Sequence, residues 1–109
     1  AHGTATAQND KMESLAINSL FGEKTPVSST KPYTGHCLGA AGAIEAGICW
    51  LTLTGRDLPV QIWDEKKDPD VAPINIIQYS TKVDKIDYIL SNSFAFGGNN
   101  ISLILERSR

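Results

Sequence analysis

Residues 38–54, LGAAGAIEAGICWLTLT, hold a single charged side chain, Glu45, in a run of about one helical span. The stretch from 39 to 54 has the length of a helix, yet Ala40, Ala43, Ile44, Ala46, Ile48, Trp50, Leu51 and Leu53 leave it no polar face. A helix apolar all round is buried on every side, inside a large core or a membrane. The membrane alternative is weak: the run sits at the short limit for a span, and Glu45 near its centre costs roughly 3 kcal/mol to insert. The sequence therefore predicts a buried helix of a soluble protein. A chain of 109 residues is too small to wrap that helix and still keep a polar surface, so it reads as part of a larger fold.

The length predicts one domain, and the rest of the composition narrows its class. Net charge is −2 with Lys and Arg scattered, so there is no basic stripe for a nucleic acid to follow. Cys37 and Cys49 lack CxxC or Cys/His metal spacing and are too few for a disulfide framework, which suits a reducing, cytoplasmic setting. The opening AHGTAT has neither an initiator Met nor the regions of a signal peptide, and the expectation is a chain that begins mid-protein.

Along the chain, NDKMESLAINSLFGEK predicts a helix with Met12, Leu15, Ala16, Ser19 and Leu20 on one face, Asp10 and Glu13 as a capping box, and Gly22 as the stop. PVSSTK predicts a strand ending at Thr30 or Lys31, and PYTGH a loop. LPVQIW and INIIQYS predict further strands, joined by the polar connector DEKKDPDVAP. Runs 88–93 and 101–106, on either side of a Gly-Gly-Asn-Asn turn, predict an antiparallel pair. Helix, strand, helix and then several strands make a mixed α/β layer.

Three loops at predicted strand ends gather the unusual residues: AHGTAT, TKPYTGH and SFAFGGNN. His2 and His36 each stand beside Gly and Thr, where backbone approaches a ligand closely and hydroxyls can bond it; either alone would equally serve as a cap or core histidine. Glu45, inside an apolar helix, needs a partner, and Lys31 on the preceding loop is assigned to it as a buried link; the alternative turns Glu45 to a solvent groove. GHCLGAAG lacks the spacing of a phosphate-binding loop, and Gly39, Ala40, Ala43 and Ala46 read as close-packing positions. Cys37 has no base aimed at its sulfur, and Cys49 reads as a buried small hydrophobe.

Taken in order, HGTAT, STKPYTGH, GAAGAIEA and NSFAFGGNN resemble the C-terminal motifs of β-ketoacyl-acyl carrier protein synthases, and the likeness spans the chain. The resemblance implies a thiolase-like α/β fold, layered αβαβα from two duplicated halves, with residues 1–109 forming most of the C-terminal half and incomplete without the upstream half. It answers the burial problem, because the apolar helix becomes a central helix sandwiched between sheets.

The same resemblance implies a decarboxylative Claisen condensation between malonyl-carrier protein and an acyl thioester, in fatty acid or polyketide-type elongation. It gives catalytic parts to His2 and His36, an electrostatic and orienting part to Lys31 with Glu45, and gating and oxyanion-hole parts to Phe96, with Gly97 and Gly98 giving it room. Thr4 and Thr6 match positions that hold the phosphopantetheine arm of acyl carrier protein. No metal or permanently bound cofactor is implied. The partners are acyl carrier protein, the upstream half, and a second subunit in a homodimer or heterodimer. The sequence departs from the family at Ala95, where Gly is common, at Asn99, where Thr is common, and at Cys37. The nucleophilic Cys of the family lies in a segment this chain does not contain, so the 109 residues alone should be inactive. A rival reading is a non-catalytic partner subunit of the chain-length-factor type, which tends to lose the histidines that this chain keeps.

Overall fold

The computed structural model describes residues 1–108. The first helix, α1 (Ala7–Phe21), starts where Thr6 leaves extended backbone and its hydroxyl accepts the N–H of Asn9 at 3.4 Å; it stops at Gly22, whose φ of 63° closes the end on Asn18 O. Thr6 is thus the N-cap, in place of the predicted box of Asp10 and Glu13. The buried side chains of α1 are Glu13, Ser14 and Ile17, while Met12, Leu15, Ala16, Ser19 and Leu20 face outward. The five share a face, as expected, and it is exposed here because Glu13, on the other side of the helix, turns inward to meet backbone donors described below. The end of the 64–73 connector lies along α1, where Ser14 Oγ accepts from Ala72 N at 2.9 Å and Asn18 Nδ2 donates to Pro73 O at 2.6 Å.

The predicted strand at PVSSTK shortens to β1 (Pro26–Val27), and Lys31 opens a single-turn helix, α2 (Lys31–Thr34), with Pro32 in its first turn, where a missing N–H costs nothing. After a 3₁₀ turn at Leu38–Ala40 comes α3 (Ala41–Gly55), closed by Arg56 in left-handed conformation, whose N–H returns to Thr52 O. Next are the short strands β2 (Asp57–Leu58), β3 (Asn75–Ile76) and β4 (Thr81–Lys82), and the long pair β5 (Tyr88–Phe94) and β6 (Asn100–Glu106). The predicted strands at LPVQIW and INIIQYS shrink to β2 and β3. The antiparallel pair is as expected, in register from Tyr88↔Glu106 to Phe94↔Asn100. β1 and β3 pair parallel, and β2 and β4 antiparallel, giving three two-stranded sheets among the described residues.

Helix α3 packs across β5 and buries Ala41, Glu45, Thr52 and Leu53. The close approach falls at Gly42, where a Cβ would come 3.2 Å from Ser93 Oγ; Gly39 has open space around it, and Ala40 and Ala43 are exposed. The opposite face carries Ile44, Trp50 and Leu51 to the outside, Trp50 being 59 % exposed. Within this chain α3 is covered on one side. Leu38–Gly55 is long and apolar enough to cross a membrane by length and composition alone. Large apolar side chains are exposed on its outer face, on the outer face of α1, and at Ile101, Leu103 and Ile104 of β6. Between β1 and β5 lies a cavity of about 760 Å³, walled by Val27, Ile48, Ile77, Leu90 and Ile104.

Candidate active site

Four segments meet above the N-terminal half of α3. The 1–6 loop brings His2, the first residue of α2 is Lys31, the turn after α2 brings His36, and α3 supplies Glu45 one turn in. Lys31 and Glu45 are 8 % and 7 % exposed, and their side chains form an ion pair. A buried ammonium needs an acceptor for each of its three protons, and Lys31 Nζ finds three: Glu45 Oε1, the carbonyl oxygen of His2, and His2 Nδ1 at 3.4 Å. The link inferred from burial is present, and it also reaches His2. Glu45 Oε2 is buried with no hydrogen-bond partner among the described residues, and Glu45 is one of the residues lining the cavity.

An ammonium can only donate, so His2 Nδ1 acts as acceptor and the ring proton resides on Nε2. His36 reaches the same state by another route: its Nδ1 accepts the N–H of Leu38 at 3.2 Å. The two rings lie 5.6 Å apart, edge to face at 88°, and Phe94 supports the His2 ring at 5.5 Å. Burial, and then the neighbouring Lys31 charge, hold His2 below its usual pKa of 6.5. The site thus offers two imidazoles with free Nε2–H donors, His2 buried and His36 exposed.

Glu13 is the residue that sequence reasoning misplaced. It is buried, and its two oxygens accept the N–H groups of His2 at 2.8 Å and Gly3 at 2.9 Å, with Asn92 Nδ2 a further donor at 3.3 Å. These charge-assisted bonds fix the turn that carries His2. Ser102 Oγ completes the chain by donating to Asn92 Oδ1 at 2.8 Å. A signal existed in the sequence, since a loop of small residues leaves backbone donors unpaired and Glu13 lies within one helix of it. Nothing in the sequence marks Asn92 or Ser102.

The remaining expected site residues make no side-chain hydrogen bond to His2, Lys31, His36 or Glu45 among the described residues. Thr4 and Thr6 share a hydrogen bond at 3.0 Å on the surface, and Thr6 also caps α1. Phe96 is fully exposed in a turn where Gly97 and Gly98 have φ of 79° and 78°, a conformation that disfavours side chains. Ala95, extended at φ −130°, closes the turn through its N–H to Asn99 O at 2.9 Å. Cys37 and Cys49 are free thiols, and burial raises the pKa of Cys49. No cluster of three or more His, Cys, Asp or Glu side chains suited to a metal forms among the described residues.

Residues 1–63 match the family described as "Beta-ketoacyl synthase, C-terminal domain". The chain is 43% identical to 3-oxoacyl-[acyl-carrier-protein] synthase 2 of Coxiella burnetii, over 98% of this chain and 26% of the relative. It is 40% identical to 3-oxoacyl-[acyl-carrier-protein] synthase 1 of Escherichia coli K12, with the same coverage. Among solved structures, a chain of the complex of a ketosynthase with its chain length factor from Xenorhabdus doucetiae superposes with a TM-score of 0.90 at 52% identity, covering 98% of this chain and 27% of that one. A β-ketoacyl synthase from Burkholderia phymatum gives 0.93 at 42% identity, covering 100% and 27%.

The fold is the thiolase-like α/β fold of the ketosynthases, and the chain belongs to the β-ketoacyl synthase family as a C-terminal portion. It spans about a quarter of the length of the relatives it matches.

Proposed function

We propose that this chain is the C-terminal part of a 3-oxoacyl-acyl carrier protein synthase and supplies the decarboxylating half of its active site. The observation that carries the reading is the hydrogen-bond pattern of the histidine pair. His2 and His36 each have Nδ1 occupied as an acceptor, which leaves two Nε2–H donors on rings 5.6 Å apart. In the proposed reaction both donate to the thioester carbonyl oxygen of a malonyl group. The bond to the carboxylate breaks, CO₂ leaves, and the electron pair moves into the carbonyl to give an enolate whose charge the two N–H groups stabilise. Each such donor contributes roughly a hundredfold or more in rate. The carbanion form then attacks an acyl thioester held on a Cys outside this chain, forming the new carbon–carbon bond and releasing the Cys thiolate.

Lys31 orients His2 and keeps its ring neutral, and Glu45 holds Lys31. Phe96, with Gly97 and Gly98, is the gate and lends a backbone N–H to the acyl oxyanion hole. Thr4 and Thr6 bind the phosphopantetheine arm, which brings the substrates on acyl carrier protein; no permanently bound cofactor takes part in this scheme. Residues 1–109 form one incomplete domain, inactive alone. The outer faces of α1, α3 and β6 and the cavity between β1 and β5 pack against the rest of the synthase and a second subunit, either another copy or a related chain. Paired catalytic and chain-length subunits are supported by the Xenorhabdus doucetiae complex. The free thiols fit a cytoplasmic setting and fatty acid or polyketide-type elongation.

The test uses the full-length protein that contains this segment, mixed with acyl- and malonyl-loaded carrier protein. Release of CO₂ with formation of a 3-oxoacyl thioester by mass spectrometry is the expected result. A full-length protein that neither becomes acylated nor releases CO₂ is instead a non-catalytic partner of the chain-length-factor type.

A further inference from the structure

The backbone N–H of Ser29 stands where the sheet no longer serves it. The pairing of β1 with β3 ends at Val27↔Ile76, and Ser29 lies two residues beyond it, buried. A buried donor without a partner costs about 1–3 kcal/mol. Gln61 meets the need with a side chain, its Oε1 accepting Ser29 N–H at 2.6 Å. The other end of the amide, Nε2, donates to Ile62 O at 3.1 Å, so the network settles which end faces Ser29. Gln61 is itself tied to the same strands: its N–H donates to Ile77 O at 2.8 Å, and Ile77 N–H donates to Val27 O at 3.0 Å.

Ser29 relays that anchorage to the site. Its Oγ lies 3.2 Å from Gly3 O and 3.5 Å from His2 O, and it accepts Lys31 N–H at 3.4 Å. One hydroxyl therefore joins the backbone carrying His2 to the backbone carrying Lys31. Contact is close enough that a Cβ on Gly3 would fall 2.5 Å from Ser29 Cβ.

We infer that Gln61 is a positioning residue for the site: by holding Ser29 it sets the spacing between His2 and Lys31, two groups that approach each other from separate loops. Gln61 touches neither histidine nor the lysine side chain and acts only through Ser29. The inference rests on the catalytic reading of His2 and Lys31.

The experiment compares Gln61→Ala, Gln61→Glu and wild type in the full-length protein. The readouts are CO₂ release from malonyl-carrier protein, thermal unfolding, and amide hydrogen exchange at Ser29. Gln61→Ala is expected to lower kcat about tenfold with KM within about twofold, and to speed Ser29 exchange about tenfold or more. Gln61→Glu keeps the acceptor oxygen for Ser29 and gives up only the solvent-exposed bond of Nε2 to Ile62 O, so it is expected to stay within about threefold of wild type in both. In a Lys31→Met background, Gln61→Ala should add less than about twofold, since its effect passes through the spacing to Lys31. A merely structural role would lower the unfolding temperature of both variants alike and add in full to Lys31→Met. Unchanged Ser29 exchange, or CO₂ release within twofold of wild type in Gln61→Ala, overturns the positioning role alone. Absence of CO₂ release from the wild type overturns the catalytic reading and the positioning role with it.

Discussion

Replacing Lys31 by Met removes the ammonium and leaves Glu45 in a place built for an ion pair. Glu45 is 7 % exposed, its Oε1 loses the Lys31 bond, and its Oε2 has no partner to begin with, so the whole carboxylate is stranded. Breaking a buried pair from one side costs about 3–5 kcal/mol, most of it the penalty of the uncompensated charge. Glu45→Gln is milder, because an amide oxygen still accepts from the ammonium; the loss is about 1.5–3 kcal/mol. The double variant Lys31→Met with Glu45→Gln strands no charge and should be more stable than Lys31→Met alone by about 2 kcal/mol. Urea unfolding of the full-length protein and its three variants closes the cycle. A double variant as unstable as the two single losses added together would refute the pairing, as would a Lys31→Met loss below about 1 kcal/mol.

Other consequences are as direct. Gly3→Ala must adopt φ near +48° and overlap Ser29 Cβ, so a loss of about 2–5 kcal/mol, seen in the unfolding midpoint, is expected together with loss of CO₂ release. Glu13→Gln sets an amide N–H₂ against one of the two backbone N–H groups, His2 or Gly3, that the carboxylate now accepts; about 1–3 kcal/mol is lost in the same assay. The pH dependence follows from His2, whose folded pKa lies below 6.5 through burial and then Lys31. The unfolded chain takes up the proton first, so this contribution to stability is complete above pH 6.5 and is lost as pH falls through the folded value. Titration of the His2 ring protons by NMR should give a midpoint below 6.5; one at or above it contradicts the buried site.

How far the sequence disclosed this structure depends on the kind of force at work. The β5–β6 pair was legible because alternating β-rich runs around a Gly-Gly-Asn-Asn turn specify a hairpin locally. The Lys31–Glu45 pair was legible for a different reason: a carboxylate in an apolar helix carries a cost that only a partner removes. The apolar face of α1 was legible as a pattern, but periodicity reports where apolar residues are and not which surface finds a partner within this chain. Here Glu13 wins the inward position through two backbone bonds, and Met12, Leu15 and Leu20 stay outside. The short strands β1, β2 and β3 were overextended, because their ladders stop where no neighbouring strand continues them. Gln61 and Asn92 gave no sequence signal, since each acts through a contact far away along the chain.

Decarboxylation at this site depends on the two Nε2–H donors. Single-turnover CO₂ release from malonyl-carrier protein by the full-length protein measures them with no acyl transfer in the way. His2→Ala and His36→Ala should each slow release about a hundredfold or more while the unfolding midpoint of His36→Ala stays near wild type, His36 being exposed. Release within about threefold of wild type in either variant would contradict the claim that the pair stabilises the enolate.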